Sequence, residues 1–158
     1  MRTDEPIKVS VVGLGRIGWR HATDIRKTEG LTLSTLCEPD MGLMEKAKAE
    51  FNIPVFNSYG ELLEKSDANF LVVATPSHMH FDLASLALEK GFNVMVEKPV
   101  SPTAAQTRKV KAIAEKAGRW ISVNQSFRYR PDVIYIKEIH SHPIGFCESC
   151  VILYKGRP

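Results

Sequence analysis

A six-residue stretch near the amino terminus limits this chain to a narrow set of folds. Ile7–Val12, a short apolar and β-branched run, leads directly into Gly13-Leu14-Gly15-Arg16-Ile17-Gly18, and Arg16–Thr28 then carries Ile17, His21 and Ile25 at helical i+4 spacing. Glycines recur in turns for conformational reasons alone. The G-x-G-x-x-G pattern gains meaning from its setting, because it leaves a strand and opens a helix, the context that a dinucleotide-binding turn requires. In such a turn Gly13 permits the tight reversal, Gly15 lets the backbone approach a pyrophosphate, and Gly18 lets helix and strand pack closely. The helix amino terminus, with Arg16 and Ile17 in its first turn, then faces the negative charge. Arg16 reads either as a solvated helix residue or as a guanidinium contact to that pyrophosphate.

The same pattern asks for an acidic residue at the end of the second strand, and Glu38 stands there, twenty positions after Gly18. A carboxylate at that position accepts hydrogen bonds from the adenosine ribose hydroxyls and repels a 2′-phosphate. Its neighbours are Pro39 and Asp40, with no Arg or Lys to receive the phosphate. NAD is therefore favoured over NADP as the cofactor.

The rest of the chain repeats strand and helix in alternation. Gly30 turns into a second strand, Leu31–Cys37; Met41–Phe51 is a helix capped by Asp40; Pro54–Phe56 is a brief third strand. Ser58 and Glu61 have capping-box spacing before the short helix Tyr59–Lys65. Phe70–Ala74 is a continuous apolar strand stopped by Pro76, and the helix His78–Lys90 presents Met79, Leu83, Leu86 and Ala87 on one face before Gly91. Val94–Val96 is strand again. Ser101 and Pro102 fit N-cap and first-turn positions of a helix with Val110, Ile113, Ala114 and Ala117 on one stripe. Trp120–Val123 makes a sixth strand. Apolar strands separated by helices imply a parallel sheet covered on both faces, which is an α/β doubly wound Rossmann domain.

Composition excludes several classes of partner. Net charge is only +3, with Lys and Arg scattered along the chain, so neither nucleic acid nor an acidic membrane surface is indicated. No apolar run approaches the roughly 18 residues of a membrane span, and Met1–Pro6 has no apolar signal segment behind it. Three cysteines, Cys37, Cys147 and Cys150, suit a reducing compartment better than a disulfide framework, and the expected location is cytoplasmic. Cys147 and Cys150 lack a second Cys/His pair, and residues three apart on a strand point to opposite faces, so no metal site is expected.

Ligands of doubly wound sheets bind beyond the carboxyl ends of the strands, and two segments there are chemically loaded: Thr75-Pro76-Ser77-His78-Met79-His80 and Glu97-Lys98-Pro99. Thr75-Pro76, His80, Ala87-Leu88, Gly91, Val94 and Glu97-Lys98-Pro99 together resemble the cofactor domain of the glucose-fructose oxidoreductase and inositol dehydrogenase family. Arg128-Tyr129-Arg130-Pro131 is similar to that family's later R-[FY]-x-P element. The resemblance covers about residues 7–131. It implies nicotinamide-dependent oxidation or reduction of a sugar, polyol or related hydroxyl compound, with Lys98 serving in proton transfer at the reacting carbon. Partial burial and a nearby cationic nicotinamide would both suit a lysine to that task. Glu97 is expected either to face the cofactor or merely to pair with a cation, and Thr75 and Pro76 to pack against the cofactor. His80 is expected either at the cofactor or as a hydrogen-bonded helix residue, His78 exposed in the first turn, and Asn124 and Gln125 either as cofactor or substrate contacts or as turn residues.

The strand–helix alternation ends near residue 125. Residues 1–130 therefore read as the dinucleotide-binding domain. Residues 131–158 read as a connecting helix, Pro131–His140, and a first strand, Phe146–Tyr154, of a second domain that the resemblance implies and the chain does not contain. On that reading this polypeptide by itself is inactive as a dehydrogenase, and its unpaired terminal strand, residues 144–154, is expected either to self-associate or to be poorly ordered. The alternative from another class is a stand-alone NAD-binding sensor or scaffold without catalysis.

Overall fold

The computed structural model describes residues 7–139. The chain divides into two compact units, Met1–Asn124 and Gln125–Pro158.

In the first unit, β1 (Ile7–Val12), β2 (Leu31–Cys37), β3 (Val55–Phe56), β4 (Phe70–Val73), β5 (Asn93–Glu97) and β6 (Ile121–Asn124) form one parallel sheet in the order β3-β2-β1-β4-β5-β6. That is the doubly wound order, with its switch point between β1 and β4, where the crossovers diverge and leave a crevice at the strands' carboxyl ends. The helices are α1 (Arg16–Lys27), α2 (Met41–Phe51), α3 (Tyr59–Lys65), α4 (His80–Glu89) and α5 (Ala104–Ala117).

Alternation along each strand divides the core into two layers. Ala22 and Ile25 of α1 and Ala47 and Phe51 of α2 pack on Val9, Val11, Leu33, Leu36 and Val72. The opposite face receives Leu62 and Leu63 of α3, Ala84, Ala87 and Leu88 of α4, and Val110 and Ala114 of α5, against Val12, Leu71, Val73, Val94 and Val96. β5 shows the parity plainly: Val94 and Val96 face the second layer, whereas Met95 packs against the first. Cys37 lies in the second layer, and burial, with Glu38 and Glu61 adding negative potential, pushes its thiol up to about 12. It is an inert packing residue.

Helix starts follow local chemistry. The Asp40 side chain accepts from the Leu43 backbone N–H at 2.8 Å, the expected cap of α2. Ser58 caps α3, but Glu61 turns outward to Lys65 at 2.6 Å and does not close a capping box. Two expected helix starts shift. Pro76 launches a short 3-10 turn, Ser77–Met79, so α4 begins at His80 and its buried face is His80, Ala84, Ala87 and Leu88, with Met79 and Leu86 exposed. Thr103 caps α5 by accepting from the Gln106 N–H at 3.2 Å, while the buried Ser101 hydroxyl bonds the Thr103 carbonyl at 2.9 Å. On α1 the sheet-facing residues are Gly18, Ala22 and Ile25; Ile17 is exposed.

The second unit holds a 3-10 turn, Ser126–Tyr129, and α6 (Pro131–Ile139), whose start is fixed by a forked Arg130–Asp132 ion pair with arms of 3.1 and 2.9 Å. The expected strand Phe146–Tyr154, its self-association surface, Cys147 and Cys150 lie outside the described residues. Among the described residues no helix is long and apolar enough to cross a membrane, and no group of His, Cys, Asp or Glu is placed to hold a metal ion.

Candidate functional site

The glycine turn separates into residues the protein needs for its own packing and one it does not. Gly13 has φ +84°, and a Cβ there would stand 2.9 Å from the backbone of Ala74 and Thr75. A Cβ on Gly18 would lie 1.7 Å from the Gly13 carbonyl oxygen. Both are therefore dictated by the approach of the turn to β4 and of α1 to the turn. Gly15 has φ −60°, and a Cβ there would meet nothing within 4 Å. Nothing in the fold asks for glycine at 15, whereas a ligand lying against the backbone would. No side chain caps the amino terminus of α1, so its first amides remain available to an anion. Arg16 is exposed beside them, as is Ile17.

Glu38 follows β2 as expected and is buried. Its carboxylate accepts from the Leu14 backbone N–H at 2.6 Å and from the Asp40 N–H at 3.1 Å, tying the glycine turn to the end of β2. A carboxylate has about four acceptor positions, so two such bonds leave capacity for hydroxyl donors.

Across the switch point, Ala74 hydrogen-bonds Val12 (2.9 Å), which brings the Thr75-Pro76 turn beside Gly13. The Thr75 hydroxyl is buried and has no partner within the described residues. A buried hydroxyl left unpaired costs about 1–3 kcal/mol, and this one belongs to the turn against Gly13, where a bound ligand would offset that cost. Pro76 is exposed beside it. With the open face of Gly15 and the uncapped helix, these residues fit a dinucleotide.

The E-K-P segment at the end of β5 is held on both sides. His80 is 1% exposed, and its ring nitrogens lie 2.7 Å from the Pro99 and Thr75 carbonyl oxygens. It joins the turn after β4 to the turn after β5, which makes it a brace between these two loops. The Lys98–Pro99 peptide is cis. On the other side, His21 of α1 meets the Glu97 carboxylate at 2.7 Å, and the Asn124 amide donates to the same oxygen at 2.6 Å. Burial pushes the Glu97 carboxyl up, but Asn124, His21 and the Lys98 backbone N–H together outweigh it and hold the group below its ordinary value. Lys98 is exposed, so any burial of its ammonium must come from what binds over it. His78 is exposed in the 3-10 turn, as expected. Gln125 is exposed and belongs to the second unit.

His21 is the site residue that sequence reasoning missed, having placed it in an apolar stripe with Ile17 and Ile25. The signal was present: a polar ring next to Ala22, on a helix whose neighbouring residues face the sheet, needs a polar partner. Period-two alternation puts Glu97 on the same layer as Met95, and that layer is the one covered by α1.

Comparison with known proteins agrees with this geometry. Residues 7–125 match the family described as "Oxidoreductase family, NAD-binding Rossmann fold". Inositol 2-dehydrogenase 4 of Saccharopolyspora erythraea is 31% identical over 90% of this chain and 44% of its own length. The chain thus spans less than half the length of this relative. Among solved structures, the WlbA dehydrogenase of Chromobacterium violaceum, in complex with NADH and UDP-GlcNAcA, superimposes with a TM-score of 0.82 at 26% identity, covering 86% of this chain and 40% of the other. The fold is shared also with KijD10, a 3-ketoreductase of Actinomadura kijaniata solved with NADP, at TM-score 0.80 and 23% identity, over 86% of this chain and 42% of that one.

Proposed function

The chain belongs to the oxidoreductase family with the NAD-binding Rossmann fold, and on that premise we propose that it is the cofactor-binding part of an NAD-dependent dehydrogenase acting on a sugar, polyol or related hydroxyl compound. The observation that carries the cofactor assignment is Gly15, whose missing side chain serves nothing in the fold and leaves backbone open beside an uncapped helix terminus. The substrate class rests on relatives such as the inositol 2-dehydrogenase.

When bound, the nicotinamide supplies the hydride acceptor or donor. The chain's own residues do the rest. The turn and the first amides of α1 hold the pyrophosphate, and Glu38 receives the adenosine ribose hydroxyls with its remaining lone pairs. The Thr75 hydroxyl and Pro76 line the crevice. Lys98, displayed at the end of β5, moves the proton to or from the substrate hydroxyl oxygen. Preference for NAD over NADP follows from Glu38, whose fixed carboxylate would oppose a 2′-phosphate.

Titration calorimetry of the chain with NADH and NADPH tests this reading. NADH should bind at least about tenfold more tightly, the scale of one unfavourable charge contact near a surface. Equal affinity, or tighter NADPH, would remove Glu38 as the selector.

We also propose self-association through residues 144–154, because their run of apolar and β-branched side chains is a sequence prone to pair with another copy. Light scattering before and after deletion of residues 141–158 should show a fall in mass; a strict monomer before deletion would overturn it.

A further inference from the structure

Glu97 is an unusual residue to find where it is. It is the last residue of an inner strand, its side chain is 15% exposed, and it has an imidazole and an amide converging on one oxygen. A partly buried carboxylate gripped by an imidazole and an amide cannot swing away from its place. That is more restraint than the end of a strand requires, since the Lys98-Pro99 turn is already braced from the other layer by His80.

The fold indicates what such a charge would face. With a pyrophosphate over the turn after β1 and an adenosine ribose at the end of β2, the other half of a dinucleotide must run in the opposite direction, over β4 and β5. Strands are spaced about 4.8 Å apart, so β5 lies about 10 Å from β1, within reach of a nucleotide's ribose and base. The nicotinamide ring carries a positive charge when oxidised and none when reduced; the remainder of the cofactor is the same in both states. A fixed anion near the ring therefore acts on the difference between the two.

We propose that His21 and Asn124 are positioning residues that fix Glu97 as an anion discriminating between the oxidised and the reduced cofactor, tightening NAD⁺ relative to NADH. The inference rests on the cofactor reading above. The His21 imidazole must donate its Nε2–H, because an ionised carboxylate only accepts. The one other charge adjoining Glu97 in sequence, Lys98, is exposed and screened by water. Lowering of the Glu97 carboxyl keeps the anion present throughout the neutral range.

The test is a ratio of dissociation constants, measured by NADH fluorescence and by NAD⁺ competition at pH 8.5, above the ordinary imidazole range. Glu97→Gln keeps the acceptor oxygen and removes the charge. It should weaken NAD⁺ by about fivefold, the scale of one partly screened charge pair, while NADH moves less than about twofold. His21→Ala combined with Asn124→Ala keeps the charge and removes the restraint, and should shift the ratio in the same direction by a smaller factor. Thermal melts establish that each variant is folded, and either variant alone decides the matter. An unchanged ratio with NADH binding intact, or equal weakening of both forms, overturns the inference and leaves the cofactor reading standing. Failure of the unsubstituted chain to bind either form overturns the cofactor reading itself.

Discussion

Gly15→Ala and Gly18→Ala should damage the chain in different ways. At Gly18 the added methyl would sit 1.7 Å from the Gly13 carbonyl oxygen and 2.9 Å from its carbon, with the Ala74 side chain at 3.3 Å behind them. The first two are backbone atoms, so the clash is relieved only by moving α1 away from the turn. Overpacking of this kind costs about 1–3 kcal/mol and occasionally more. The shift also breaks the geometry tying Leu14 to Glu38. Gly18→Ala is therefore expected to lower the unfolding midpoint and abolish NADH binding together. At Gly15 the backbone angles suit any residue and the space is open. Stability should change by no more than about 0.5 kcal/mol. Cofactor binding should still fall about ten- to hundredfold, because the methyl occupies the path by which a pyrophosphate reaches the amides. Denaturant titration paired with calorimetry reads both effects. If Gly15→Ala binds NADH normally, the turn is a packing device and not a phosphate site.

The contrast between these glycines also shows what could be read before the structure. The pattern of three glycines, the strand before and the helix after were all visible, as was Glu38. These depend on local geometry, which a sequence displays directly. The strand boundaries of β1 and β2 and the extent of α2 followed for the same reason: apolar runs ended by Gly, Asp or Asn leave few choices. The start of α5 was misplaced because Ser101 and Thr103 are both capable caps, and the choice between them depends on Ser101 being buried and bonded to Thr103 and Thr107. The buried face of α4 was misphased because Pro76 inserts a 3-10 turn, which rotates every later residue relative to an uninterrupted helix.

Long-range pairing was the harder part. His80 was recognised as a residue of interest, but its function as a brace between Thr75 and Pro99 requires two turns to meet in space. His21 and Glu97 are separated by 76 positions, and their contact becomes predictable only once β5 is known to lie inside the sheet with α1 over its Met95 face. The parity of a strand is readable from sequence; which helix covers that parity is a property of topology.

Lys98→Ala is expected to give the larger catalytic effect, measured in a polypeptide of the full length of its relatives, of which this chain spans less than half. Lys98 lies between two restraints. Glu97 before it is fixed by His21 and Asn124, and Pro99 after it is fixed by His80. The side chain itself is exposed at the carboxyl end of β5, where it can meet a hydroxyl placed against a nicotinamide. Its backbone is thus held rigid while its ammonium stays free to engage a ligand, the arrangement that a proton-transfer group requires. Loss of a general acid or base lowers turnover by about 10²–10⁴-fold. In the binding mode proposed above the glycine turn and Glu38 hold the cofactor, so the dissociation constant for NADH should stay within a few-fold. Lys98→Arg separates charge from proton transfer: guanidinium keeps the cation but does not release a proton at working pH, so it should be nearly as inactive as alanine. Steady-state rates and NADH titration on the three proteins provide the check. A Lys98→Ala protein that retained half its turnover would assign Lys98 to the surface. An arginine variant with normal turnover would mean that its charge, and not its proton, is what the reaction uses.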